Sequence, residues 1–248
     1  VRAEILADER AVLCGVKGAA FCFHLLDPGI TFRQHMSDGE VVSSGDVVAE
    51  VEGNAQAVLA AERSALNILA HLSGIATTTR EFVEMARQFG IEVYDTRKTR
   101  PLLRKVEKYA ASVGGAKNHR LALDQAIFVK DNHKLINGGM KGIVEIIENN
   151  REKIAGLPLI IEVENVDELK LAVKIKPDLI LLDNFDFTDI KKAFEKYGDK
   201  VEMEVSGGVT PEKLKELSSI GVKRVSSSYF ILKAEARMFK LEVRQVFK

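Results

Sequence analysis

The sequence has no tryptophan, two cysteines and no apolar run near the roughly 18 to 20 residues that cross a bilayer. Each shortage removes a class of function. Cys14 and Cys22 give neither zinc-ligand spacing nor a disulfide framework, so both are expected as reduced interior thiols, and redox chemistry is not indicated. The missing tryptophan and a formal net charge of zero argue against a general nucleic-acid surface, which needs a net basic face to release counterions. A signal peptide's basic start, apolar stretch and cleavage site are absent, which makes the cytoplasm the expected compartment, with no membrane partner. The chain begins at Val1, inside an expected strand and without an initiator methionine, so a preceding segment is expected to be missing. No internal repeat or low-complexity tract appears.

What is present is an ordinary globular composition. With 248 residues, 46% hydrophobic and 29% charged, the chain can bury one large core or two modest ones. Up to about residue 52, short extended runs (Val1 to Leu6, Ala11 to Cys14, Ile30 to Arg33, Val47 to Val51) surround one helix at Val16 to Leu26, an α+β sandwich lobe. Apolar residues then recur at helical spacing from Ala55 to Phe89, and Ser73-Gly74 is expected to end a first helix before a second begins at Thr77. After Gly90 short apolar runs alternate with helix-length segments: Ile91 to Tyr94, Ala126 to Val129, Leu157 to Val163, Leu179 to Leu182, Val201 to Val205 and Lys223 to Ser226. That alternation predicts βα units and a parallel sheet, and six strands are too few for a closed eightfold barrel. The expected fold is therefore α/β: an incomplete, open α/β barrel over residues 90–233, following an N-terminal lobe with a helical bridge over 1–89. Residues 234–248 read as helix-like or mixed and are expected to pack back on the lobe.

The charge is unevenly placed. Between Asp95 and His133 lie nine Lys/Arg against four Asp/Glu, a local +5 that the remaining chain balances. Three boxes carry it: Asp95-Thr-Arg-Lys-Thr99, Lys117-Asn-His-Arg120 and Lys130-Asp-Asn-His133. Clustered guanidinium, ammonium and imidazole groups suit a small ligand with several carboxylates or phosphates, because Arg binds these bidentately and Lys as a point charge. Arg97, Lys98, His119, Arg120 and Lys130 are expected to converge. Arg100, Arg104, Lys105 and Lys108 fall where Pro101 to Ala111 reads as a helix, and most are expected on a solvated face. His24, His35 and His71 show no partner and are read as structural or surface residues.

Nearly every expected barrel strand ends in polar groups on its carboxyl side, the rim where barrel active sites lie. Glu162 and Asp183 follow strongly apolar strands, where an ionised carboxylate is costly unless it faces a cation, a metal or hydroxyls. Oxygen-only ligation favours a hard ion such as Mg²⁺, and a salt bridge to Lys98 or Lys130 is the alternative. Ser206-Gly207-Gly208 precedes Thr210, suited to a helix N-cap, and Pro211, suited to the first helical position. That loop, with Ser226, Ser227 and Ser228 after the last strand, is expected to bind phosphate.

In order and spacing these boxes resemble the quinolinate phosphoribosyltransferase family. The likeness runs over almost the whole chain, through Ala61-Glu-Arg-Ser-Ala-Leu-Asn67, Leu72-Ser-Gly-Ile-Ala-Thr77, the three cationic boxes, Glu107-Lys-Tyr-Ala110, Gly114-Gly115, Leu182-Asp-Asn184 and Ser206-Gly-Gly208. The resemblance implies a type II phosphoribosyltransferase that turns quinolinate and phosphoribosyl pyrophosphate, with Mg²⁺, into nicotinate mononucleotide, pyrophosphate and CO₂ in NAD biosynthesis. It further implies a homodimer, with hexamers as a further assembly, in which one subunit's lobe covers the other's barrel rim. Arg63 of the neighbouring subunit, Arg97, His119 and Arg120 would then bind the two carboxylates, with Lys98 and Lys130 between substrate and pyrophosphate. Glu162 and Asp183 would take ribose and metal, and Ser206, Gly207, Gly208, Ser227 and Ser228 the 5′-phosphate. The family usually reads Thr-Arg-Lys-Thr-Thr-Pro-Gly-Leu-Arg, whereas this chain has Arg100 and Leu102 at the second Thr and the Gly. It also has three serines where many members carry a small-Gly-small turn.

Two other readings remain open on sequence alone. One is a related phosphoribosyltransferase with another acceptor, such as nicotinate or the substrate of the pyrophosphorylase-like proteins of molybdate operons. It is disfavoured because His119-Arg120 and Lys130 to His133 leave cations for two carboxylates. The other is a non-catalytic anion-binding protein, which leaves the acidic rim and the Gly-Gly loop unexplained.

Overall fold

The computed structural model describes residues 1–247. The chain opens with β1 (Arg2–Ala7), β2 (Ala11–Val12), α1 (Val16–Leu26), β3 (Thr31–Gln34), β4 (Val41–Val42), β5 (Val47–Glu52) and the long α2 (Ala55–Gln88). Then come β6 (Glu92–Tyr94), α3 (Arg104–Gly114), β7 (Ile127–Val129), α4 (Asp131–Ile136), α5 (Gly139–Asn149), α6 (Arg151–Ile154), β8 (Leu159–Val163) and α7 (Val166–Lys174). The remainder is β9 (Leu179–Asp183), α8 (Phe187–Tyr197), β10 (Met203–Ser206), α9 (Leu214–Ser219), β11 (Arg224–Ser226), α10 (Tyr229–Leu232) and β12 (Phe239–Gln245). No helix among the described residues is long and apolar enough to cross a membrane.

The elements form two compact units. The first comprises Val1–Val83, Lys98–Ala116 and the chain from Phe230 onward. Its antiparallel sheet runs in the order β12-β1-β5-β3, beside a β2-β4 pair. Ala3 and Ile5 of β1 lie opposite Val51 and Ala49 of β5, and this face packs on the apolar stripes of two helices. Those stripes follow helical spacing: Val16, Ala19 and Phe23 on α1, and Val58, Ala61, Ala65 and Leu69 on α2.

Three sequence expectations need correction in this unit. Helix α2 is continuous through Ser73-Gly74 rather than broken there. A Cβ on Gly74 would collide with the Glu235 carbonyl oxygen, so this glycine lets the returning chain approach and does not end the helix. Ser73 instead accepts from the Cys14 N–H at 2.9 Å, and Thr77 from Val12 at 2.8 Å, tying α2 to the β2 strand and the loop after it. The chain after residue 234 ends in a strand rather than a helix, with β12 antiparallel to β1. Its residues alternate strictly, Phe239, Leu241 and Val243 against Lys240, Glu242 and Arg244, a period of two that contradicts the helical expectation. The short β4, paired with β2, lies in a segment for which the sequence predicts no element.

The second unit comprises Glu84–Arg97 and Lys117–Tyr229. Its six strands are all parallel in the order β6-β11-β10-β9-β8-β7; β6 and β7 end the sheet, β6 met on its outer side by a single parallel bridge from Tyr94 to Lys117, and the barrel is open, as the strand count predicts. Paired residues of parallel strands share a face, which sorts the sheet into two. One face carries Val93, Val129, Ile161, Val163, Ile180, Leu182, Met203, Val205 and Val225, an unbroken apolar surface for helices. The other carries Phe128 and Ile160 low on the sheet, and Glu162, Asp183, Glu204, Ser206, Ser226 and Tyr94 towards the carboxyl ends. The candidate site lies on this second face.

Candidate active site

Strand register alone brings most of the expected rim together. Glu162 pairs with Leu181, two residues before Asp183, so both carboxylates share one face on adjacent strands. Asp183 pairs with Ser206, and Ser226 with Tyr94, which continues the polar row across the sheet. Lys130 follows β7 and sits at the N-cap of α4, where its backbone N–H donates to His133 Nδ1 at 2.9 Å. That bond gives the Lys130-Asp-Asn-His133 box a local role: His133 caps the helix that Lys130 starts. Lys134, on the same helix, is buried and held by Glu164 at 3.0 Å and Glu168 at 2.6 Å.

The cations on this rim are partly compensated from within. Lys130 Nζ forms an ion pair with the buried Glu162 carboxylate, the salt bridge that the sequence offers as an alternative for that residue. Phe128 is a platform beneath two of them: Lys130 Nζ lies 4.6 Å and the Arg120 guanidinium 4.7 Å from its ring centroid. Arg120 also donates to the Ala126 carbonyl at 3.0 Å. Burial pushes its guanidinium below the ordinary value, and the neighbouring Arg97 pushes it further the same way.

His119 is placed by two wholly buried carboxylates. Its backbone N–H donates to Asp95 Oδ1 at 2.8 Å, and its ring Nε2 lies 2.7 Å from Glu204 Oε1. The other Asp95 oxygen accepts from Asn118 at 2.5 Å, so the Asp95 and Asn118-His119 boxes are one folded unit. Arg224 donates to Glu204 at 2.5 Å and stacks on Tyr94, 3.7 Å from the ring centroid. Sequence reasoning counts Glu204 among the polar strand ends of the rim without a particular role, and misses Arg224 and Tyr94. A signal is present: Glu92-Val-Tyr94, Met203-Glu-Val-Ser206 and Arg224-Val-Ser226 alternate polar with apolar, the pattern of strands with one polar face.

The glycine loop is built as a close approach. Gly207 and Gly208 both have positive φ, and a Cβ on Gly207 would collide with Asn184 Oδ1. The space above Gly208 is open: a methyl there would stand 3.7 Å from Lys213 Nζ, which donates to the Gly208 carbonyl at 2.9 Å. Thr210 and Pro211 hold the N-cap and first positions as expected, but they open a 3₁₀ turn over Pro211–Lys213 before α9. Ser227 is buried; its hydroxyl donates to Val209 at 2.8 Å and accepts from Tyr229 N–H at 3.1 Å, which ties the two expected phosphate loops together. Ser226 turns inward to bond Glu204, while Ser228 stays half-buried.

Other expected residues fall in the first unit. Lys98 begins its second segment, one peptide beyond Arg97, and Arg63 is exposed on α2. Arg100 has a definite place there: its backbone N–H and guanidinium both reach the buried Glu107, at 2.9 and 3.0 Å, and the guanidinium also reaches the Ile231 carbonyl at 3.2 Å. His71, expected without a partner, lies 2.9 Å from the same carboxylate, and His24 lies 3.1 Å from the Ile30 carbonyl. Lys108, expected on a solvated face, is buried.

Among the described residues no three His, Cys, Asp or Glu side chains cluster as a metal site. Glu162 and Asp183 offer oxygen alone, and Asp183 is only half-buried, so the pair suits a hard ion that brings waters and phosphate ligands of its own.

Cations, carboxylates and a glycine loop on one carboxyl rim define the class: an α/β barrel protein built for polyanionic ligands. The chain matches the quinolinate phosphoribosyl transferase N-terminal domain over residues 1–73 and the C-terminal domain over residues 75–242. It is 39% identical to a probable nicotinate-nucleotide pyrophosphorylase (carboxylating) of Synechocystis, over 92% of this chain and 77% of that protein. A protein of the same description from Archaeoglobus fulgidus is 36% identical over 99% of this chain and 95% of its own length. The solved nicotinate-nucleotide pyrophosphorylase of Francisella tularensis superposes with a TM-score of 0.89 at 33% identity, covering 98% of this chain and 86% of that one. The chain belongs to the quinolinate phosphoribosyltransferase family.

Proposed function

We propose that this protein transfers a phosphoribosyl group to quinolinate, releasing pyrophosphate and CO₂ and forming nicotinate mononucleotide. The observation that carries the reading is the Arg120 guanidinium and the Lys130 ammonium over one Phe128 ring beside the buried Glu162 carboxylate, clustered cations for carboxylates next to a carboxylate pair suited to a sugar. A dianionic pyridine and a polyanionic donor repel each other, and fixed positive charge at their meeting point offsets that repulsion before reaction begins. Arg97, Arg120 and His119 take the two carboxylates, with Arg63 reaching in from a second subunit. Lys130 and Lys98 stand between the acceptor and the leaving pyrophosphate.

The ring nitrogen attacks C1′ of the donor as its bond to pyrophosphate oxygen breaks, so no protein nucleophile is required, and positioning dominates. The ring, now cationic, accepts the electron pair left when the adjacent carboxylate departs as CO₂, and a proton then takes its place on carbon. Glu162 and Asp183 would hold the ribose hydroxyls and a Mg²⁺. That ion, when bound, neutralises charge on the leaving pyrophosphate. Ser206, Gly207, Gly208 and Ser228 receive the 5′-phosphate, with Ser227 aligning the two loops. The exposed Leu59, one turn before Arg63 on α2, supports a subunit contact on the face that carries Arg63.

Offering quinolinate and nicotinate separately, each with donor and Mg²⁺, tests the reading. Mononucleotide from quinolinate and none from nicotinate is expected. The reverse preference would assign the protein to another acceptor.

A further inference from the structure

The pair of buried carboxylates behind His119 goes beyond the roles given above. His119 is gripped on three sides: Asp95 holds its backbone, Glu204 its Nε2, and the Tyr94 ring lies 5.3 Å from its own, centroid to centroid. Its side chain is only 10% exposed, and Glu204 is wholly buried. A carboxylate so deep in the protein is costly unless it is compensated. Burial pushes the Glu204 carboxyl up, but His119, Ser226 and Arg224 together outweigh burial and hold it below the ordinary carboxylate value. Arg224 is itself fixed, by Glu202 at 3.2 Å and by the Tyr94 face.

The consequence falls on the other ring nitrogen. With Nε2 committed to Glu204, only Nδ1 is left for a ligand. A ligand carboxylate only accepts, so Nδ1 must donate, and both nitrogens must then carry protons. The register of the strands explains why Glu204 can reach: it pairs with Leu181 on β9, on the same face as Glu162, one row below Ser206.

We propose that Glu204, braced by Arg224, is a positioning residue for the acceptor: it fixes the His119 ring so that Nδ1 is turned to meet an acceptor carboxylate. This rests on the quinolinate reading above. Outer carboxylates behind ligating histidines are worth roughly 10- to 100-fold in the comparable case of metal sites, and a similar loss is expected here.

The test is a double-mutant cycle read in the KM for quinolinate, across wild type, Glu204→Gln, His119→Gln and the double variant. Glu204→Gln keeps an acceptor for Nε2 and leaves Arg224 its Glu202 partner, but removes the charge. The expected result is a rise of about 10- to 100-fold in quinolinate KM, with the KM for the donor within about twofold. On the His119→Gln background the same change is expected to cost less than about twofold, because its effect passes through the ring. An equal cost on both backgrounds, or an equal rise in both KM values, overturns the positioning role and leaves only a structural ion pair. Should Glu204→Gln not fold, the wild-type protein still decides: a hydrogen-bonded Nε2 proton resonance, assigned by its loss in His119→Gln, is required, and its absence overturns the pair. A wild-type protein that does not use quinolinate at all would overturn the functional reading instead, a different result from either of these.

Discussion

Arg120 and Asp183 stand on opposite sides of a division of labour along one rim. On the proposed reading, Arg120, on the Phe128 platform, serves the acceptor, whereas Asp183, diagonal to Glu162, serves the donor. Removing a charged hydrogen-bonding partner costs about 1.5 to 3 kcal/mol, roughly 10- to 150-fold. Arg120→Ala is therefore expected to raise the KM for quinolinate by that order and leave donor use nearly unchanged, and Asp183→Ala to do the converse. Steady-state kinetics with each substrate varied in turn checks the split; identical profiles for the two variants would remove the assignment. Much of this rim is legible in the sequence because chemistry-bearing residues stand at the ends of apolar runs. The partners are not, because who pairs with whom depends on strand order: Glu204 and His119 lie 85 residues apart. Arg100 is likewise unplaceable from sequence, since its partner Glu107 is buried on a helix whose charged face reads as solvated.

Helix α2 and the Arg100 loop show how single positions govern elements. Local grammar treats Ser73-Gly74 as a stop, yet the helix runs through because tertiary contacts use both residues. Gly74→Ala would drive a methyl into the Glu235 carbonyl, so a loss of at least about 2 kcal/mol is expected in urea unfolding, although alanine is the better helix former. A gain in stability would show that the approach is not constrained. Leu102 is the converse case. It has φ +65° and is fully exposed, so it carries left-handed strain of about 1 to 2 kcal/mol with no burial to offset it. Leu102→Gly is expected to raise stability by up to about 1 kcal/mol, after the entropy that glycine adds to the unfolded chain, whereas Leu102→Ala gains nothing because it keeps the Cβ. Equal midpoints for the two variants would contradict this. Element identity is largely readable, since apolar runs and helical stripes are local. The short β4, where the sequence predicts no element, and the end strand β12, read as helix-like or mixed although its alternation is present in the sequence, are exceptions.

For the whole molecule, the account requires two substrates at one rim and a lysine and an arginine drawn from different subunits. Arg63→Ala and Lys130→Ala proteins are each expected to be nearly inactive, and mixing them after subunit exchange should restore up to about a quarter of wild-type activity, since random pairing leaves one intact site in half of the dimers. No recovery despite proven exchange would place Arg63 in its own subunit's site or outside the site altogether. The central claim, that the cationic rim couples phosphoribosyl transfer to loss of one carboxylate, is tested most directly with quinolinate labelled separately in its two carboxyl groups. The account predicts labelled CO₂ only from the carboxylate next to the ring nitrogen, one for each mononucleotide formed, and none without donor. Release from the other carboxylate, or release without donor, would contradict it.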